Sequence, residues 1–158
     1  MKLSSLEEYG LRCLLELGRC REGESLTIAE MSRREGISAP NVAKIMRVLR
    51  KGGLVNSTRG QSGGYVLARR PVDIAVSDVL AALGGRFYDS TFCDKHKGTA
   101  HFCTHLSDCS IRAVLRRVQD AVDHVLSALT LQSLLCTEAE VQTAVVSPRA
   151  IPLPIAPS

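Results

Sequence analysis

The stretch TIAEMSRREGISAPNVAKIMRVLRKGGLVNSTRGQSGGYVL, residues 27–67, decides the fold. It opens on Thr27-Ile28-Ala29-Glu30, a capping box in which hydroxyl and carboxylate each satisfy a backbone amide at the start of a helix. Gly36 stops that short helix, since a residue without Cβ suits the left-handed turn at a helix end. Ser38 caps the next helix, and Pro40 fits its first turn, where an amide has no helical partner to lose. Val42, Ile45, Met46 and Leu49 recur at helical spacing, while Asn41, Lys44, Arg47, Arg50 and Lys51 project elsewhere, until Gly52-Gly53 ends the helix. Leu54-Val55-Asn56-Ser57 and Tyr65-Val66-Leu67 are strand-like runs around a Gly-rich, basic tip, which predicts a hairpin. Two helices joined by Gly36-Ile37-Ser38 and followed by such a hairpin make a winged helix-turn-helix.

Upstream, Ser5-Leu6-Glu7-Glu8 reads as another capping box, and Leu11, Leu14, Leu15 and Leu17 extend a first helix from about Ser5 to Gly18. Downstream, Ser77 to Leu83 is a short helix capped by Ser77 and ended by Gly84-Gly85. From Arg86 to Asp108 no periodicity is visible, and a structureless stretch of that length inside a small domain has a functional reason or is disordered. Ile111, Val114, Leu115, Val118, Val122, Val125, Leu126 and Leu129 then repeat at three- and four-residue spacing. That amphipathic helix extends roughly 30 Å, and its stripe is expected to pair with the same helix of a second subunit, part of it folding back on the first helix. Thr130 caps a short last helix to Leu135, and four of the six prolines follow Glu138. The chain is thus mainly α with a small β-hairpin wing. It divides into a DNA-binding domain (1–85), a cysteine-rich loop (86–108), a dimerisation helix (109–136) and a disordered tail (137–158).

With 158 residues, 45% of them hydrophobic and 4% aromatic with no Trp, the chain supports one domain with an aliphatic core. It has no apolar run long enough to span a membrane and no signal peptide, so it is expected in the cytoplasm with no membrane partner. There the six cysteines stand for metal, redox chemistry or burial rather than disulfides. The net charge of +4 is uneven: residues 1–72 hold 13 Lys+Arg against 7 Asp+Glu, and residues 73–158 hold 7 against 9. Only the first half suits a polyanion.

Winged helices also serve as protein-interaction modules, but a basic third helix beside a basic wing favours double-stranded DNA. Ser38, Pro40, Asn41 and Lys44 lie nearest the base edges of a major groove, and Arg47, Arg50 and Lys51 suit phosphates. Arg59, with Gly60 and Gln61 at the wing tip, can enter a minor groove.

The second constellation is Cys93-x9-Cys103-x5-Cys109, ending where the long helix begins. A helix N-terminus favours the thiolate of Cys109. No Cys-x-x-Cys pair is present, which leaves an iron–sulfur cluster, a three-Cys zinc site with one further ligand, or a thiol switch. His96, His101 and His105 lie in the same loop and can complete a site. Glu8 is either a capping carboxylate or an oxygen ligand reached from another helix. Cys13 reads as packed, nothing ties Cys20 or Cys136 to a site, and His124 reads as a surface residue. A thiol enzyme using Cys103 or Cys109 lacks a nucleophile motif and leaves the basic half unexplained, so no catalytic residue is expected.

Taken together, these residues resemble the Rrf2 family of bacterial winged-helix regulators, which includes the iron–sulfur sensors IscR, NsrR and RirA. The resemblance rests on Met1-Lys2-Leu3-Ser4, the block Ala29 to Val55, and above all Arg59-Gly60-Gln61-Ser62-Gly63-Gly64-Tyr65, and it covers about Met1 to Leu135. It implies a homodimer paired through the long helix on a roughly palindromic operator. It also implies a transcriptional regulator, expected to be a repressor, whose DNA affinity follows a 2Fe-2S or 4Fe-4S cluster and so senses redox state, nitric oxide or iron. Cys93, Cys103 and Cys109 match the family's ligands in order, with a longer first gap. Arg112 stands where the IscR pattern has a fourth-ligand His, and Glu8 stands where the NsrR kind has an Asp. Glu8 is therefore the expected fourth ligand, with His96, His101 or His105 as substitutes. The alternative is a DNA-binding regulator with a thiol or zinc switch and no cluster.

Overall fold

The computed structural model describes residues 4–21, 23–60, 63–89, 91–95, 105 and 108–146. Helix α1 spans Ser5–Arg19 and is capped one residue earlier than its sequence suggests. The Ser4 hydroxyl accepts from the Glu7 amide at 3.3 Å while the Glu7 carboxylate takes the Ser4 amide at 2.7 Å. Both Ser4-x-x-Glu7 and Ser5-x-x-Glu8 satisfy the motif, and the register that buries Gly10, Cys13, Leu14 and Leu17 selects the first. Glu8 is thereby released from capping.

Helix α2 (Ile28–Glu35) has the predicted Thr27–Glu30 capping box and ends at Gly36, whose φ of 66° is left-handed. Helix α3 (Ala39–Lys51) starts at Ser38 with Pro40 in its first turn, but the Ser38 hydroxyl makes no capping bond, contrary to the sequence reading. Its carbonyl accepts from the Val42 amide at 3.0 Å instead. Strands β1 (Val55–Ser57) and β2 (Tyr65–Leu67) pair antiparallel, Val55 opposite Leu67 and Ser57 opposite Tyr65. Leu26 adds a rung on the other edge of β2, its amide bonding the Tyr65 carbonyl at 3.0 Å and its carbonyl taking the Tyr65 amide at 2.8 Å. A Cβ at Gly64 would lie 2.6 Å from the Leu26 carbonyl oxygen, so only glycine permits that rung.

After a single 3-10 turn at Pro71–Asp73, helix α4 covers Val76–Leu83. It begins before Ser77, which therefore does not cap it. Backbone pairing to the C-terminal region fixes its entry: Val76 donates to the Leu129 carbonyl at 3.0 Å and Leu131 donates to the Ile74 carbonyl at 2.8 Å. Helix α5 (Phe92–Lys95) lies in the stretch expected to be irregular, and α6 spans Ser110–Ser127. Helix α7 (Leu131–Leu134) has the predicted Thr130 cap. Helix α8 (Glu138–Val146) occupies part of the expected disordered tail. Thr137 and Glu140 bond at its start, and the run to Val146 is free of proline. Residues 147–158 lie outside the described residues.

Helices α1 to α4 enclose the core, with Leu14, Met31, Val42, Met46, Leu49 and Ile74 fully buried. Leu131 is fully buried as well, so α7 returns the chain to this core after α6. Gly10 brings α1 onto α4, where a Cβ would lie 2.4 Å from Leu83. Among the described residues no helix is long and apolar enough to cross a membrane.

Candidate nucleic-acid interface and cysteine loop

Because Val42, Ile45, Met46 and Leu49 turn into the core, with Val48 packed beside them, the polar residues of α3 face outward. Ser38, Pro40, Asn41, Lys44, Arg47, Arg50 and Lys51 are all exposed. Residues 36–72 carry seven Lys+Arg and no Asp or Glu, so no carboxylate within this segment offsets the face. Arg50 reaches Ser57 Oγ at 3.4 Å and joins the helix to the wing. At the tip, Thr58 donates to the Gly64 carbonyl at 2.8 Å, and Gly64 donates to Thr58 Oγ1 at 2.9 Å. Gly60 adopts a φ of 117° that favours glycine, and it stands exposed beside Arg59. Gln61 lies outside the described residues.

The turn between α2 and α3 is held from outside. Arg12 Nε donates to Glu35 Oε2 at 2.7 Å, and its NH2 donates to the Glu35 carbonyl at 2.6 Å. Ser32 Oγ donates to the Ile37 carbonyl at 2.6 Å. Arg12 thus bolts α1 to the last residue before the recognition turn, and Glu35 keeps its guanidinium more firmly protonated than usual. The sequence reading missed this pair, whose members lie 23 residues apart and share no local pattern. Glu8 is exposed on the same helix, 3.7 Å from Arg12 NH1.

Cys93 lies in α5 and Cys109 is the N-cap of α6; both are half-buried free thiols. Cys109 Sγ accepts from the Arg112 amide at 3.4 Å, so the loop delivers this sulfur to a helix N-terminus as predicted. His105 is exposed, and its carbonyl accepts from Arg112 NH2 at 3.0 Å. Cys103, His96 and His101 lie outside the described residues. Among the described residues no three His, Cys, Asp or Glu side chains come together as a metal-binding group. Burial pushes the Cys13 thiol up to about 11 and raises that of Cys20 as well. For Cys13, fully buried, this fits the packed role read from the sequence.

The start of the cysteine loop is tied to α6 by a polar network the sequence reading also missed. Gln119, buried on α6, accepts the Tyr88 amide on Oε1 at 2.9 Å and donates from Nε2 to Asp123 Oδ1 at 2.8 Å. Asp123 Oδ2 receives Arg86. A signal was available: Leu115, Gln119, Val122 and Leu126 keep helical spacing, with an amide where an aliphatic side chain is expected.

The stripe of α6 divides into two halves. Ile111 (65% exposed), Val114 (62%), Val118 (40%) and Val125 (46%) face outward. Leu115, Val122, Leu126 and Leu129 are half-buried within the chain, and Val122 and Leu126 line a cavity of about 460 Å³ with Leu80 and Ala81 of α4. The outward half of the predicted dimer set faces away from the chain's own core, and the inward half folds back towards α4, with Glu7 of the first helix lining the same cavity.

A family model described as Rrf2, iron-dependent transcriptional regulator, matches residues 3–137. The protein rrf2 of Nitratidesulfovibrio vulgaris is 33% identical over 135 residues, covering 85% of this chain and 87% of that one. Among solved structures, the T. potens IscR is 29% identical with a TM-score of 0.65, covering 85% of this chain and 86% of its own. CymR, described as the global cysteine regulator of B. subtilis, is 25% identical with a TM-score of 0.64, covering 85% and 96%.

Proposed function

The chain belongs to the Rrf2 family of DNA-binding transcriptional regulators, a family of regulators and not of enzymes, and from this we propose that it is a cytoplasmic homodimeric repressor controlled by an iron–sulfur cluster. The observation that supports the cluster is the placement of Cys109 at the N-cap of the long helix, with Cys93 half-buried in α5. Cys93, Cys103 and Cys109 supply three soft thiolates for iron, and the donor set is completed by the Glu8 carboxylate of the other subunit. Glu8 suits that part because it is exposed and free of capping. When bound, such a cluster supplies iron–thiolate bonds that respond to oxidation, nitric oxide or iron supply. The chain's own residues do the rest. Ser38, Pro40, Asn41 and Lys44 read base edges, Arg47, Arg50 and Lys51 hold phosphates, and Arg59, Gly60 and Gln61 carry the wing into the minor groove. Ile111, Val114, Val118 and Val125 pair the two subunits across a palindromic operator.

Purification under strict anaerobiosis, with iron, acid-labile sulfide and zinc measured per chain, tests the cluster. Iron and sulfide in near-equal amounts are expected, lost together with cluster-dependent operator affinity when Cys93, Cys103 and Cys109 are replaced. If the triple replacement changes neither metal content nor affinity, the cluster reading fails. A second reading is favoured by the similarity to CymR, a cysteine regulator: the loop thiols switch DNA binding by oxidation without a cluster. It gains if protein purified and reconstituted without oxygen holds no iron, and zinc in the metal analysis would point to a zinc switch instead.

DNA contact is checked separately by salt. Replacing Arg47 with Ala in both subunits removes about two phosphate contacts, so the slope of log K against log salt falls by about 2. An unchanged slope would place Arg47 away from the backbone.

A further inference from the structure

We propose that Gln119 is a positioning residue for the cysteine site, setting where Cys93 stands relative to Cys109; this rests on the reading of both as functional thiols. Gln119 is the one buried polar side chain among the described residues. Burying an amide is costly unless its partners are in place, so a satisfied one fixes geometry more strictly than an aliphatic contact. Both ends of its side chain are used, Oε1 by the Tyr88 amide at 2.9 Å and Nε2 by Asp123 at 2.8 Å. Asp123 in turn takes Arg86, so residues on both sides of Phe87 are pinned to two successive turns of α6.

From this anchor to Cys93 the chain is short, and contacts join its described residues. The Tyr88 ring is buried and lies 5.4 Å, centroid to centroid, from that of Phe92. Phe92 donates its amide to the Asp89 carbonyl at 3.1 Å, and Cys93 follows it in α5. Cys109 begins the same helix that carries Gln119, about 15 Å along its axis. Both thiols are therefore referenced to one rigid element. Moving the Tyr88 amide away would leave the Gln119 oxygen buried without this donor, a cost that holds the segment in place.

The test compares Gln119→Met, which keeps the volume and loses both hydrogen bonds, with the exchange Gln119→Glu/Asp123→Asn, which keeps the acceptor for Tyr88 and reverses the donor and acceptor of the second bond. In reduced protein with no metal bound, the alkylation rates of Cys93, Cys109 and Cys20 are followed by peptide mass spectrometry. Gln119→Met is expected to raise the Cys93 rate about tenfold, as ~1.4 kcal/mol of lost local anchoring predicts, with Cys109 and Cys20 changed much less. The Gln119→Glu/Asp123→Asn exchange is expected to keep the slow rate. Equal acceleration of all three thiols, or a fast Cys93 rate in the exchanged pair, would mean a general structural role and overturn the proposal. A wild-type protein that fails to take up iron would sink the cluster reading while leaving these rates interpretable.

Discussion

Val114→Asp tests the two-fold arrangement most directly. Bringing a fully exposed aliphatic side chain out of water yields roughly 1.5–3 kcal/mol. Ile111, Val114, Val118 and Val125 retain between 40% and 65% exposure, so each has roughly 1 kcal/mol left to give. Four such residues on each of two helices offer about 8 kcal/mol, set against the several kcal/mol lost when two bodies become one. Val114 lies within the stripe, and a two-fold axis brings its two copies towards the same interface. Aspartate there removes apolar contact twice and buries two like charges, a combined loss of at least ~4 kcal/mol, or about a thousandfold in the dimer dissociation constant. Because Val114 is 62% exposed, the fold of each chain should survive, with little change in melting of the separate subunit. Sedimentation velocity over a concentration series reads the association, and binding to a full operator and to a single half-site reads its consequence. We expect Val114→Asp to sediment as a monomer and lose affinity for the full site while keeping that for the half-site. His124→Asp, on the exposed polar side of the same helix, should remain a dimer. A Val114→Asp protein that still sediments as a dimer at low concentration would refute pairing through this stripe.

At the wing root, Gly64→Ala must break the two hydrogen bonds between Leu26 and Tyr65, for a loss of about 2 kcal/mol in urea titration together with weaker operator binding. Retention of wild-type stability would show that the backbone yields there at no cost. Arg12→Ala leaves the mostly buried Glu35 carboxylate without its guanidinium; allowing for the partial exposure of Arg12, about 1–2 kcal/mol of stability should go. Its operator affinity should fall further than a surface change explains, and equal affinity would mean that the turn holds itself. The Cys13 thiol, raised to about 11 by burial, favours the folded state fully below its ordinary value near 9, and that contribution is lost as pH climbs towards 11. The wild type should therefore lose about 2 kcal/mol more than Cys13→Ala between pH 8.5 and pH 10.5 in paired urea titrations, and parallel curves would contradict it.

The winged helix was legible because its signals are local: a capping box, a left-handed glycine, a proline in a first turn and a glycine-rich tip each act within a few residues. What escaped was set by distant partners. Ser77 looks like a cap, yet α4 starts earlier because Leu129 and Leu131 hold its entry by backbone pairing from the far side of α6. The choice of Ser4 over Ser5 turns on which register buries Cys13 and Leu14, a tertiary fact. The stripe on α6 was visible, but its division between α4 and solvent was not, since periodicity locates a face without naming what it meets. Arg12–Glu35 and Gln119–Tyr88 are long-range pairs with no motif. Cys93 and Cys109 were legible as chemistry from their types and spacing.

On the proposed reading, the packing also constrains how the cysteine loop can reach DNA. Helix α6 begins at Cys109 and ends where the Ala75–Thr130 pairing and the buried Leu131 lock it to the core, so its far end is a fixed point. Its inward residues Val122 and Leu126 face Leu80 and Ala81 of α4 across the cavity. The next residue of α4, Ala82, meets Gly52 at the end of α3, where a Cβ would lie 2.9 Å away. The other end of α3 follows the turn that Arg12 holds. A recognition helix clamped at both ends does not bend or unwind alone; it moves with its domain. Operator half-sites lie about 34–36 Å apart, and phosphate contacts and base-edge contacts both depend on that spacing. A tilt of each domain about that end of α6, applied twice by the two-fold axis, would change the separation of the recognition helices. On this proposal the cysteine chemistry acts through α6 on both recognition helices together.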